Sequence, residues 1–259
     1  MLILESATLS DIGCIRTVNQ DRMFAKSDYI NGSLCGLFGV ADGMGGLSEG
    51  AFAASMAVNI LEQWWYSKLH LLVGYTSLNE DDIIHELKKL FYAINYDIKE
   101  YADNLNAMVG TTFSVLLICN NKYYVVHAGD SRIYMITRFG IRRRISKLTD
   151  DHTWLAKQVR EGAISTDEVA DHPEKNRLTS CLGVLEIPEI FIDSDLIKME
   201  SLFILCSDGL YDVISDQELL KKSPRRVTCS KLVKRLIDIA IKRDATDNIT
   251  VIAVKCKNY

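Results

Sequence analysis

Six short runs rich in β-branched and aromatic residues constrain this chain more than anything else in it. They are LCGLFGVA (34–41), TTFSVLLIC (111–119), YYVVHA (123–128), RIYMIT (132–137), LFILC (202–206) and ITVIAV (249–254). Each reads as a strand. Asn120 and Asn121 stand between two of them, a hairpin signal, and AGDS (128–131) marks a second turn. Helical periodicity comes in blocks between the strands. Residues 49–65 carry a small-residue face, and residues 80–101 space Ile83, Leu87, Leu90, Phe91, Ile94 and Ile98 for one helix face. Near the C-terminus Leu232, Val233, Leu236, Ile237, Ala240 and Ile241 repeat, with Lys231, Lys234, Arg235 and Lys242 opposite. Residues 66–79 read as a loop. Hairpin-linked strands with blocked helices predict an α+β fold, mostly antiparallel sheet covered by helices. No repeat or linker divides the chain, so a single domain over 1–259 is expected.

Composition narrows the function. Apolar residues make up 48% and charged residues 25%, ordinary for a globular protein, and three prolines leave no long disordered linker. A net charge of −4 gives no global argument for nucleic acid or an anionic membrane. No apolar run approaches the ~20 residues of a membrane helix. The start, MLILESATLSD, lacks the basic opening of a signal peptide. Seven scattered cysteines show no C-x-x-C spacing and read as buried free thiols in a reducing setting, so a cytoplasmic location is expected.

Four of the apolar runs meet an aspartate beside a small residue or an asparagine. These are Asp42 in GVADG, Asp130 in VVHAGDS, Asp208 in FILCSDG, and Asp247 in DATDNITV, where the acid precedes its strand. One such acid is a turn residue or cap. Four of them on neighbouring strands would converge, and like charges that close need a cation to stay ionised. The ligands would be oxygen throughout: carboxylates, a backbone carbonyl such as that of Gly43, and water. That suits Mg²⁺ or Mn²⁺, and none of the five histidines sits at a metal-ligand spacing. Two ions bridged by one carboxylate can turn water into hydroxide and clamp phosphoryl oxygens for in-line attack. A glycine loop cradling phosphate is the alternative for Gly43, Gly45 and Gly46. However, no Lys-Ser or Lys-Thr follows them, and Ser48 stands where the third glycine of a dinucleotide motif belongs.

Eight motifs then resemble, in family order, the metal-dependent Ser/Thr protein phosphatases of type 2C (PPM), in their compact bacterial form. They are SDIGCIRTVNQD (10–21), VADGMGG (40–46), GTTFSVLLI (110–118), HAGDSRIY (127–134), LTDDHTWLAKQVREGAI (148–164), HPEKNRLTSCLG (172–183), LCSDGLYD (205–212) and DNITVIAV (247–254). The resemblance implies a four-layer αββα sandwich, two central antiparallel sheets flanked by helices, with metals in a cleft at one end. It implies that Asp42 bridges two Mg²⁺ or Mn²⁺ ions and that the Gly43 carbonyl binds the second. Asp208 and Asp247 would complete the first, and Asp130 with Asp208 would hold a third. Arg16 would contact substrate phosphate through its planar fork. Asp21 would sit at the metal-water shell, and residues 150–185 would form a variable flap beside the site. The implied reaction is hydrolysis of phosphoserine and phosphothreonine in proteins by a metal-bridging hydroxide, with no phosphoenzyme, opposing Ser/Thr kinases. The implied partners are phosphoproteins, including such a kinase or its targets, met by a monomer.

The departures from the family pattern are specific. Gln20 stands where N-E-D has glutamate, which predicts weaker binding of the second metal. Met44 takes the place of a histidine proposed as general acid in many eukaryotic members, so a metal-bound water would protonate the leaving alkoxide. Leu47 replaces a common histidine, and Lys175 a common flap arginine. A binding module that keeps the fold without catalysis is the competing class; retention of all four acids argues against it. A phosphatase acting on an anti-sigma-antagonist-type switch differs only in partner. C-x₅-R, the tyrosine-phosphatase signature, is absent. Arg142, Arg143 and Arg144 read as a solvated loop, and 221–243 as the solvent face of the last helix. His152 and His172 read as flap supports, and Cys14 and Cys206 as buried packing residues.

Overall fold

Asn120 and Asn121 take left-handed φ values of 51° and 63°, the backbone of a tight two-residue hairpin. They join β5 (Phe113–Cys119) to β6 (Lys122–Ala128), with Cys119 facing Lys122. The computed structural model describes residues 2–258 apart from 47, 75–78, 140, 141, 166, 167, 169–171, 176, 198 and 199. The expectation about Leu47 and parts of the 66–79 loop and the flap lie outside the described residues.

Eleven described strands form two antiparallel sheets. One has the order β1 (Leu2–Asp11), β11 (Ile249–Asn258), β10 (Ser201–Cys206), β7 (Arg132–Phe139), β8 (Arg142–Lys147). The other runs β2 (Asp21–Ile30), β3 (Ser33–Met44), β5, β6, β9 (Phe191–Leu196), with the short β4 (Gly110–Thr111) paired to β3. All six apolar runs are strands. Apart from the two-residue β4, the strands that the apolar runs do not mark, β1, β2, β8 and β9, lie at the sheet edges. Their outer rows face water, so they carry charge where the inner strands are apolar, as in RRRISK and FIDSDL. Arg142, Arg143 and Arg144 thus belong to an edge strand, a correction to the loop expected there.

Helices cover both outer faces. α1 (Glu49–Trp64) and α3 (Glu80–Leu105) pack Leu61, Leu87, Phe91 and Ile94 against Leu117 and Phe113 of the second sheet. Asn79 caps α3 by accepting the Asp81 N–H. On the other side α7 (Cys229–Lys242) lays Leu232, Leu236 and Ile237 over Ile204 and Val251, leaving Lys231, Lys234 and Arg235 exposed as expected. Between the sheets a third core joins Phe38, Leu116 and Ile118 to Phe203, Leu205 and Ile252. Fully burying one such phenylalanine contributes roughly 2–3 kcal/mol. The result is the four-layer α+β sandwich.

Residues 66–79 are not a plain loop. A π-helical turn over Trp65–Leu69 continues into α2 (His70–Gly74), because Trp65 and Leu69 are buried and hold the segment against the core. Short helices α4 (Trp154–Arg160), α5 (Asp208–Tyr211) and α6 (Asp216–Lys222) complete the described elements.

Candidate active site

The ends of four strands meet at one end of the sandwich and bring the acids together. Asp42 lies near the end of β3 and faces Asp21 at the start of β2. Asp130 follows β6, Asp208 follows β10, and Asp247 precedes β11. A cavity of about 270 Å³ is lined by Asp42, Asp130, Asp208 and Asp247 together with Arg16, Gln20, Gly43 and Met44. Asp21 lies behind Asp42, only 3% exposed.

Backbone geometry enforces the convergence. A Cβ on Gly43 would lie 2.0 Å from the Gly50 carbonyl oxygen, so only glycine lets β3 pass the start of α1. Gly129 holds φ at 114° and turns the chain so that Asp130 enters the cavity. His152 clamps that turn twice: its Nδ1 accepts the Gly129 N–H at 3.1 Å, and its own N–H donates to the Gly129 carbonyl at 2.7 Å. Thr112 is bound to Asp42 in both directions. Its N–H donates to the Asp42 carbonyl at 2.8 Å and its hydroxyl accepts the Asp42 N–H at 3.1 Å. Asn248 fastens the Arg16 loop by accepting the Gln20 N–H at 2.8 Å and donating to the Ile12 and Val18 carbonyls.

The acids strain against one another. Burial, and then the charges of Asp21, Asp208, Asp130 and Asp247, drives the Asp42 carboxyl well above the usual range. Burial and then Asp130 and Asp247 do the same to Asp208. Asp21 is pushed up to about 6 by burial, offset by hydrogen bonds that include one from the Ser207 hydroxyl at 2.7 Å. Asp130 is pushed up to about 6 by burial and then by Asp151. Two buried carboxylate oxygens, Asp21 Oδ1 and Asp208 Oδ1, have no partner. Among the described residues, the acids ring the cavity without closing three side chains on one point. An all-oxygen ring with orphaned acceptors and room for water fits Mg²⁺ or Mn²⁺.

Arg16 reaches the same cavity, where its Nη2 donates to Asp247 Oδ2 at 2.7 Å. Gln20 also lines it, and its side-chain amide donates to the Gly46 carbonyl at 3.0 Å. Met44 stands in the wall, its sulfur 3.4 Å from Cys181 Sγ. Lys175 pairs with Asp212 at 3.5 Å. The flap reaches the cavity through Leu178. His172 packs on Trp154 at 5.6 Å, a supporting role like that of His152. Cys206 is buried and its thiol is pushed up to about 12 by burial, but Cys14 is exposed, contrary to expectation. Thr112, Leu178, Ser207 and Asn248 lie within the motifs, yet the sequence alone assigns them no role; each is an uncharged residue whose task depends on neighbours distant in sequence.

Known proteins resemble this chain in sequence and in fold. The sequence profile of the family described as Protein phosphatase 2C matches residues 16–240. The chain is 30% identical over 258 residues to the protein phosphatase PhpP of Streptococcus pneumoniae, covering 97% of each. It is 31% identical over 221 residues to the serine/threonine phosphatase stp of Listeria monocytogenes, covering 83% of this chain and 82% of that one. Among solved structures, the serine/threonine phosphatase of S. agalactiae superposes with a TM-score of 0.84 at 27% identity, over 97% of this chain and 99% of that one. The catalytic domain of the serine/threonine protein phosphatase PstP, in complex with two manganese ions, superposes with a TM-score of 0.81 at 26% identity over the whole of both chains.

Proposed function

The chain belongs to the protein phosphatase 2C family, and on that premise we propose that the aspartate-lined cavity is its catalytic centre. The protein is a Mg²⁺/Mn²⁺-dependent serine/threonine protein phosphatase, and phosphoproteins are its substrates. In our reading Asp42, the Gly43 carbonyl, Asp208 and Asp247 would hold two ions, and Asp130 with Asp208 would hold a third. When bound, the ions neutralise phosphoryl oxygens and make water acidic enough to attack phosphorus at neutral pH.

The chain's own residues do the rest. Arg16 gives up its bond to Asp247 and turns its fork to the substrate phosphate. Asp21, fixed through Oδ2 by Ser207, keeps an acceptor oxygen at the buried side of Asp42. Thr112 and His152 hold Asp42 and Asp130 in place as positioning residues. Met44, which lines the cavity, has no proton to donate, so the leaving serine or threonine oxygen takes its proton from water within the site rather than from this side chain. Leu178 brings the flap, about 150–185, to the cavity mouth and makes it a specificity element.

We further place the enzyme in signalling, opposite a Ser/Thr kinase, as a cytoplasmic monomer that binds neither membrane nor nucleic acid. The seven free cysteines fit the reducing setting of this reading, and the negative net charge gives nucleic acid no general attraction.

The observation that carries the site assignment is the meeting of four acids from both sheets, two orphaned oxygens among them and their neighbour. Hydrolysis of a phosphothreonine peptide with Mn²⁺ and with EDTA tests it. Activity restricted to the metal is expected. Full activity in EDTA refutes it, and inactivity with every divalent metal favours a binding module.

A further inference from the structure

A second and larger cavity lies at the far end of the same sheet. β7 runs from Arg132 beside the acids to Arg138, six residues and about 20 Å away. There Arg138, the starts of β10 and the ends of β11, and the Ser223–Thr228 connection between α6 and α7 enclose about 500 Å³. Six cations line it: Arg138, Arg143, Arg225, Arg226, Lys255 and Lys257. Among the described residues two carboxylates, Glu5 and Glu200, stand against them, leaving the described lining four positive charges in excess in a chain whose total is −4. Overall composition therefore does not explain the concentration.

The carboxylates are engaged. Glu5 meets Lys257 at 3.0 Å and accepts the Cys229 N–H at 2.7 Å; Glu200 meets Arg225, and Arg138 at 3.8 Å. Arg143 and Lys255 are different. Arg143 donates to the Ser223 and Leu220 carbonyls, and Lys255, 8% exposed, donates to the Val227 and Arg225 carbonyls. Carbonyls satisfy these donors without neutralising their charge. The same bonds pin the roof, so the cavity is preformed. Its sheet-side floor is apolar, with Ile136 and Leu202.

We propose that this cavity binds a small molecule carrying two phosphate groups on an organic body. Its volume falls in the range of small-molecule pockets, ~300–1,000 Å³. A nucleoside diphosphate carries about three negative charges at neutral pH, one on its inner phosphate and close to two on its terminal one, which the excess of cations can offset. Guanidinium forks suit phosphoryl oxygens, and the apolar floor suits a ring. The proposal does not rest on the catalytic reading.

Calorimetric titration of the full chain with ADP and with pyrophosphate, both in metal-free buffer with EDTA, tests it. One equivalent of ADP is expected to bind, more tightly than pyrophosphate. Affinity is retained in Arg16→Ala and falls about tenfold or more in Arg138→Gln/Arg226→Gln. Glu200→Gln, which removes a competing carboxylate, tightens binding and provides an independent readout if the double variant folds poorly. Absence of ADP binding overturns the proposal, as does binding lost in Arg16→Ala but unchanged in the double variant. Unchanged or weaker binding in Glu200→Gln overturns it too. Pyrophosphate binding as tightly as ADP overturns the organic body.

Discussion

Arg16 Nη2 lies 2.7 Å from Asp247 Oδ2, so the proposed phosphate-binding fork and a proposed metal ligand are bonded to each other. Substrate and metal would therefore each release the partner that the other needs. Both groups are part-exposed, which keeps the exchange cheap.

Arg16→Ala is thus expected to have two opposite effects. kcat/KM for a phosphopeptide falls about 10- to 100-fold, the loss of a charge-assisted bond. Mn²⁺ binding, measured by calorimetry, is unchanged or tighter because Asp247 is freed. Weaker Mn²⁺ binding would show that Arg16 supports the metal site instead.

The raised carboxyls of Asp21 and Asp130 contribute to the pH dependence of the metal-free protein. Their folded values, about 6, exceed the unfolded value near 3.8. The folded state therefore holds extra protons between these limits, and this contribution favours folding below the window and fades as pH rises through about 6. Metal-free Asp42→Asn is expected to be more stable than wild type at pH 7 by about 1–2 kcal/mol, since one repelling charge is gone. Mn²⁺ raises Tm in wild type and loses most of that effect in the variant. Differential scanning calorimetry with and without EDTA measures both.

His127 acts in the opposite sense. It is fully buried, with Nδ1 2.8 Å from the Ser114 hydroxyl and Nε2 3.0 Å from the Asp150 carbonyl. Burial, and then His152, depresses it from 6.5 to about 3. Its contribution is present above pH 6.5 and is lost as pH falls toward 3. His127→Gln should lower Tm at pH 7, and the gap to wild type should narrow on acidification. A gap that widens toward pH 4 would contradict the buried neutral histidine.

Gln20→Glu adds a carboxylate to a cavity that Gln20 already lines. The metal concentration at half-maximal activity is expected to fall about fivefold, roughly 1 kcal/mol. An unchanged midpoint would mean that Gln20 serves only its bond to the Gly46 carbonyl.

Much of this was legible in the chain before any fold was known. Inner strands such as β5 and β10 are apolar on both faces and announce themselves. Acids at their ends are visible for the same reason, as polar residues where an apolar run stops. Edge strands β1 and β8 were hidden because half their surface answers to water. Thr112, Ser207 and Asn248 gave no distinct signal of their role, because a hydroxyl or amide is common and only its tertiary partner makes it specific. Arg143 was misread for a related reason: a basic triplet looks solvated until α6 supplies carbonyls for one of its members.

The central claim is that Asp42 and Asp208 hold the metals that hydrolyse phosphoserine and phosphothreonine. The most direct measurement is kcat for a phosphothreonine peptide at saturating Mn²⁺, in wild type, Asp42→Asn and Asp208→Asn. Losing several kcal/mol of charge stabilisation predicts a fall of about a thousandfold in each variant with the fold retained. Variants that keep wild-type kcat would contradict it.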